Sequence, residues 1–159
     1  MMSGKSWVLI AAAFVAASAS NASKVPANEH CGVWRLNPSK SKYSPGPGPK
    51  ELTETIELDE RHYKINADGT ADDGRPIHIE FNANFDGKNY PMIGVVWADA
   101  VAVKWTEDRE PQMIQSKNGQ VTVTITCRVS VDGKTRTCTL KGKNAEGREV
   151  NDLVVFDRR

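Results

Sequence analysis

The sequence predicts an all-β protein, folded as an up-and-down antiparallel β-barrel of about nine or ten strands. Three observations lead to this fold class. From Val33 onward, short runs of residues alternate between apolar and polar side chains. Turn residues, mostly Gly with Asp, Asn or Glu, end these runs, and no run has helical periodicity over several turns. Closing such a sheet buries its apolar face and removes its edges. The alternative arrangement of the same strands is a two-sheet β-sandwich.

The N-terminal 22 residues have the parts of a secretory signal peptide. Lys5 precedes the uncharged apolar segment Trp7–Ala17, and Ala17-Ser18-Ala19 fits a small-x-small cleavage site. An apolar segment of about 11 residues is too short to cross a bilayer, which needs about 20. The sequence therefore predicts a signal peptide over 1–22 and an exported protein.

The rest of the chain suits a flexible leader over 23–31 and a single domain over 32–159. With 21 basic and 20 acidic side chains, the chain has a formal net charge of +1. A balanced charge of this kind argues against nucleic acid or an anionic membrane as the main partner. The domain contains no apolar stretch of membrane-spanning length. Nothing in the composition specifies an oligomeric state.

The first half of the domain supplies four strands and one long loop. Trp34 and Leu36 share one face of the opening strand, and the Pro-rich stretch Pro38–Lys50 interrupts strand pairing because proline lacks an amide donor. The predicted strands are Gly32–Asn37, Leu52–Leu58, Tyr63–Ala67 and Ile77–Phe85.

The second half supplies the remaining strands. Asn118-Gly119 predicts a tight hairpin turn, since both residues tolerate positive φ. It leads into the longest strand, Val121–Val131, whose odd-numbered residues are apolar and are expected to face inward. The other predicted strands are Tyr90–Ile93, Val101–Trp105, Met113–Gln115, a strand through Leu140, and Val150–Phe156.

Three cysteines in an exported chain allow one disulfide and one remaining thiol. Folding the chain back at Asp132-Gly133 places Cys127 opposite Cys138. Opposed strand residues can form a disulfide if they are a non-hydrogen-bonded pair, in which the side chains are closer. The alternative is that all three cysteines are unpaired and act as small apolar residues.

The opening strand, Gly32-Val33-Trp34-Arg35-Leu36, resembles the Gly-x-Trp start of lipocalins and of the fatty-acid-binding branch of the same calycin group. The stretch 32–50, Asp132-Gly133-Lys134 and Lys141–Gly147 resemble segments of uncharacterised secreted bacterial proteins. The resemblance implies a calycin-type barrel in a bacterial periplasmic or extracellular protein. It also implies that Arg158 or Arg159 packs over Trp34.

Five aromatic residues lie on apolar faces of the predicted strands and are candidates to line an internal cavity: Trp34, Tyr63, Phe81, Trp105 and Phe156. A barrel of this size either packs solid or holds one small ligand. The predicted function is binding of a small apolar or amphipathic molecule, with Tyr90-Pro91 and the Pro38–Lys50 loop near a barrel mouth. The alternative is an envelope protein-interaction or inhibitor module that uses the loops of a filled barrel.

No catalytic role is predicted, because no serine or cysteine stands in a recognisable nucleophile motif. No metal site is predicted either, because His30, His62 and His78 never pair at ligand spacing, and zinc needs three or four converging ligands. His78 and Glu80 share one face of a strand, and a solvated polar face accounts for them. No cofactor is expected.

Overall fold

A computed structural model describes residues 27–159. The predicted signal peptide, 1–22, lies outside the described residues, as does the first part of the predicted leader. Residues 27–159 form a 3₁₀ helix, Ala27–His30, followed by ten strands. These strands are β1 Gly32–Leu36, β2 Glu51–Leu58, β3 His62–Thr70, β4 Pro76–Asn84, β5 Tyr90–Ile93, β6 Ala100–Trp105, β7 Pro111–Lys117, β8 Gln120–Val129, β9 Thr135–Lys143 and β10 Glu149–Arg158.

The ten strands close into one antiparallel barrel, in which each strand pairs with its neighbours in sequence and β1 pairs with β10. The predicted up-and-down β-barrel is therefore confirmed, and the two-sheet sandwich is wrong. Short connections explain this order, because a tight turn can only join strands that lie next to each other.

The alternating strand directions divide the connections between two ends of the barrel. We name the end that carries the 3₁₀ helix the helix end; the connections 59–61, 85–89, 106–110 and 130–134 lie there. We name the opposite end the loop end; it carries 37–50, 71–75, 94–99, 118–119 and 144–148. Tyr90 and the 37–50 connection, both predicted near a mouth, thus lie at opposite ends.

The Pro-rich connection 37–50 is attached to β10 along its first part. Lys42 forms an isolated bridge with Leu153, and the Ser44 amide donates to the Asp152 carboxylate at 2.7 Å. A Cβ at Gly48 would lie only 2.1 Å from the Tyr43 ring. The first part of the connection therefore extends the pairing of β1 with β10. Its later part packs against the Tyr43 ring at Gly48 before the chain enters β2.

The inward pattern predicted for Val121–Val131 holds only in the middle of the strand. Val123, Cys127 and Val129 are buried, but Val121 is 66% exposed and Val131 is fully exposed. The pairing of β7 with β8 shifts between Gln115 and Ser116, which places Val121 outside the inward register. Val131 lies beyond the end of β8, in a turn. The inward expectation was wrong for these two valines.

Candidate functional site at the helix end of the barrel

A buried charged cluster lies inside the barrel near the helix end. Arg136 is 1% exposed, and its guanidinium donates to the Glu54 carboxylate at 2.5 Å and to the Tyr63 hydroxyl at 2.8 Å. The same guanidinium donates to Cys127 Sγ at 3.1 Å. Arg136 Nε has no hydrogen-bond partner within residues 27–159. A buried cation needs a nearby anion, and Glu54, which is largely buried, supplies it.

Strand register brings these groups together from three parts of the barrel. Glu54 shares the inward face of β2 with Leu52 and Ile56, and Arg136 lies directly opposite Phe156 in the β9–β10 pair. Burial raises the pKa of Tyr63 to about 12, although the positive charge of Arg136 opposes this shift. Tyr63 is therefore a neutral phenol at physiological pH.

The 3₁₀ helix covers the barrel beside this cluster. The Trp34 indole donates to the His30 carbonyl at 2.8 Å, and the Arg158 guanidinium lies 4.2 Å from the centre of the Trp34 ring. Arg158 also donates to the Cys31 and Glu29 carbonyls, at 2.8 and 2.5 Å. Of the two arginines named from the sequence, it is Arg158 that packs over Trp34.

His30, the last residue of the 3₁₀ helix, is polar and buried. It is 2% exposed, and Nδ1 has no hydrogen-bond partner in the described part of the chain. Burial, reinforced by the positive charges of Arg136 and Arg158, lowers the pKa of His30 to about 3. His30 is therefore neutral at physiological pH. Residues 27–30, which belong to the predicted leader, form the 3₁₀ helix at this end of the barrel.

A stack of three nearly parallel aromatic rings runs from the charged cluster to the rim. The ring centres of Tyr63 and Phe85 are 5.9 Å apart, those of Phe85 and Trp105 are 4.2 Å apart, and both interplanar angles are 9°. Tyr63 is fully buried, whereas Phe85 and Trp105 are half-buried. The stack therefore joins the barrel interior to a partly exposed aromatic surface.

The outer member of the stack carries an ion pair. The guanidinium carbon of Arg109 lies 4.9 Å from the centre of the Trp105 ring, and Arg109 Nη2 pairs with Glu60 Oε2. The Trp105 indole donates to the Glu60 carbonyl at 3.4 Å. Arg109 and Glu60 thus bridge the turns 106–110 and 59–61 across the exposed end of the stack.

The structure separates the five predicted cavity residues into two groups. Trp34, Tyr63, Phe81 and Phe156 are at most 4% exposed and pack in the core, where Tyr63 and Phe81 meet edge to face at 5.3 Å. Trp105 alone lies at the rim. A ligand would therefore meet Trp105 first, and the other four could contact it only if the core rearranged.

Cys127 and Cys138 form the disulfide that the sequence allowed, and the alternative of three unpaired cysteines is wrong. The bond joins Cys127 and Cys138 on adjacent strands, with their Cα atoms 4.1 Å apart. This separation is that of a close, non-hydrogen-bonded pair. Cys31 is the free cysteine, and its thiol donates to the Leu58 carbonyl at 2.9 Å.

Several residues of this region were missed from the sequence: Glu54, Phe85, Arg109, Glu60 and Arg136. For Glu54 and Arg136 a signal was present, since each charge falls in the inward register of its strand. Two opposite charges in inward registers predict an internal ion pair. Glu60 and Arg109 carried no such signal, because they lie in turns whose proximity depends on barrel closure.

The outer surface carries a separate polar group around His78. Its Nδ1 lies 2.8 Å from Asp68 and its Nε2 lies 3.7 Å from Glu80. The hydrogen bond with Asp68 is the main cause that raises the pKa of His78.

Within residues 27–159, no three His, Cys, Asp or Glu side chains are grouped to hold a metal ion. The same residues include no helix with the length and hydrophobicity to span a bilayer.

Comparison with known proteins adds no family to this description. No family model matches the chain, and neither the curated proteins nor the solved structures contain a significant match.

Proposed function

We propose that this chain is an exported, non-enzymatic barrel protein that binds a small apolar or amphipathic molecule at the helix end. The observation that carries the proposal is the aromatic stack, because it ends in the half-buried ring of Trp105 at the rim, where, of the residues described, only the Arg109 side chain covers the outer face of that ring. Aromatic faces of this kind bind flat apolar groups through stacking and area burial. The Cys127–Cys138 bond supports export, since disulfides persist in oxidising compartments.

The packing of the interior favours the rim over the centre of the barrel as the binding site. Trp34, Tyr63 and Arg136 are large side chains with almost no exposed surface, and they occupy the interior near the helix end. A ligand at the centre would have to displace the Arg136–Glu54 pair and leave buried charges unpaired, at a high cost in free energy. A ligand at the rim requires only that the Arg109 side chain move off the outer face of Trp105.

A direct test uses N-phenyl-1-naphthylamine, a neutral aromatic dye whose fluorescence rises in apolar surroundings. We expect the wild-type protein to bind the dye and Trp105→Leu to bind it at least tenfold more weakly. Trp97→Leu is the matched control, because Trp97 is also half-buried but lies in a loop-end connection, where it donates to Gln115 at 2.8 Å. Its affinity for the dye is expected to stay within twofold of wild type. Equal affinities for both variants would contradict the proposal.

The second candidate function is that of a protein-interaction module, and the exposed apolar residues of the other end favour it. Ile93, Val96 and Val121 are 53%, 70% and 66% exposed. All three lie at the loop end, and large exposed apolar patches on a protein surface often mark contact sites. A partner from envelope extract that binds wild type and Trp105→Leu, but not Val96→Asp, would favour this function over ligand binding at the rim.

A further inference from the structure

The two faces of the Trp105 ring have different neighbours. Phe85 stacks on one face at 4.2 Å, so the Arg109 guanidinium, 4.9 Å from the ring centre, must lie over the other. The carboxylate of Glu60 pairs with this guanidinium. The outer face of Trp105 therefore already holds an organic cation, and that cation belongs to the protein itself.

Arg109 reaches this position through an unfavourable backbone conformation. Its φ is 63°, in the left-handed region that residues other than glycine rarely adopt. The turn is held by hydrogen bonds from the Arg109 amide to the Thr106 carbonyl at 3.0 Å and from the Thr106 amide to the Glu110 carbonyl at 2.9 Å. Strained residues of this kind concentrate at functional sites, where the surrounding structure holds them.

The charges around Trp105 favour a cation in place of Arg109. The turn that bears Arg109 also carries Glu107 and Asp108, both exposed, and neither forms an ion pair within the part of the chain described. If Arg109 moved away, Glu60 would join them as an uncompensated carboxylate. The rim would then combine an open indole face with local negative charge.

We propose that the outer face of Trp105 and the carboxylate of Glu60 form a binding site for a weakly hydrated organic cation, such as a quaternary ammonium or guanidinium group. In the free protein Arg109 occupies this site as an internal competitor. This inference rests on the proposed function, since it names the ligand class for the same rim. Tryptophan is the aromatic side chain that binds such cations best.

Arg109 is well suited to be displaced. Its side chain is 34% exposed and that of Glu60 is 64% exposed, so water and salt weaken their attraction. A ligand therefore competes with a weak internal contact, and removing that contact should increase the apparent affinity.

The experiment measures binding of tetramethylammonium by wild type, Arg109→Gly and Arg109→Gly/Glu60→Gln. Glycine suits the positive φ, so the first variant should keep the fold, which the thermal midpoint checks. The readout is the NMR shift of the Trp105 indole N–H, assigned by its absence in Trp105→Leu. Sodium chloride at equal concentration controls for ionic strength, and neutral tert-butanol controls for shape.

We expect tetramethylammonium to shift the Trp105 signal and to bind Arg109→Gly at least fivefold more tightly than wild type. Loss of the Glu60 charge in the double variant should reverse that gain, and tert-butanol should have no comparable effect. Equal affinity of wild type and Arg109→Gly, or equal response to sodium, would overturn the inference. If the neutral dye still binds in a Trp105-dependent way, only the cation site is refuted; if neither ligand binds, the proposed function fails as well.

Discussion

Replacing Glu54 with glutamine tests whether the barrel interior depends on its buried ion pair. The variant keeps the size and shape of the side chain but removes the charge that faces Arg136. Because Arg136 is 1% exposed, its guanidinium cannot turn to water for compensation. It would keep its hydrogen bonds to Tyr63 and Cys127, which are not anionic partners.

The expected magnitude follows from this burial. Removing one partner of a buried ion pair costs about 3–5 kcal/mol, because the remaining charge is left desolvated and unpaired. The Glu54 side chain is 14% exposed, so water can partly enter its place, and we expect a loss of about 3 kcal/mol. A domain with about 5–15 kcal/mol of total stability would lose a large fraction of it.

Urea denaturation followed by tryptophan fluorescence measures the change. With an m-value of about 2 kcal/mol per molar urea, the midpoint should fall by about 1.5 M. Glu57→Gln is the matched control on the same strand, since Glu57 pairs with Lys64 at 3.2 Å on the exposed face. Breaking that exposed pair should cost less than about 1 kcal/mol.

Two results would refute the reasoning. The first is a loss below about 1 kcal/mol for Glu54→Gln, equal to that of the exposed control, which would mean that Arg136 is hydrated. The second concerns the double variant Glu54→Leu/Arg136→Met. If the pair is desolvated, replacing both charges by apolar groups should cost less than removing Glu54 alone. A larger, additive loss would show that the two residues do not interact.

Three further predictions concern the helix end, the sheet and the disulfide. The lowered pKa of His30 means that only the unfolded chain takes up its proton between about pH 6.5 and 3, so the stability from His30 falls as pH falls through this range. In His30→Leu the slope of unfolding free energy against pH should therefore be smaller than in wild type, by up to about 1.4 kcal/mol per pH unit over this range. An unchanged slope would show that His30 is protonated in the folded protein. Gly142→Ala should cost about 2–3 kcal/mol in chemical denaturation, because its Cβ would lie 1.9 Å from a backbone carbonyl oxygen. Gly147→Ala, with positive φ but no atom within 4 Å, should cost only about 1 kcal/mol, and equal losses would contradict the contact. Cys138→Ser opens a bond between residues 11 positions apart and should lower the free energy of unfolding by about 3 kcal/mol. Dithiothreitol should produce the same loss in wild type and none in the variant, and an effect on the variant would show that it acts elsewhere.

The strands could be predicted because alternation is a local property of the chain. Ile77–Phe85 and Leu52–Leu58 place every second side chain on one face, and this pattern is independent of the partner strand. Asn118-Gly119 likewise specifies its turn through its own backbone, with φ of 50° and 77°. The prediction that Val121 faces inward was wrong because it depended on a property that is not local. A β-bulge depends on how two strands pair, which alternation within one strand does not reveal.

The candidate site followed from the sequence only in part. Trp105 was identified because it extends an inward apolar register. Its stacking with Phe85, by contrast, depends on β4 and β6 lying on either side of the short strand β5. Glu60 and Arg109 are 49 residues apart in sequence, and each lies in a turn whose direction the strands impose. No pattern along the chain indicates that these two turns meet.

The sequence by itself determined the all-β class, most strand positions and the face of each strand that is apolar, because these depend on the order of neighbouring residues. Only the tertiary structure decided that Glu54 meets Arg136, that Arg158 rather than Arg159 covers Trp34, and that Arg109 lies on Trp105. Closing the barrel joins β1 to β10 and thereby brings distant residues into one interior and onto one rim. Burial and charge at these sites follow from that closure, since they depend on all the neighbours in space.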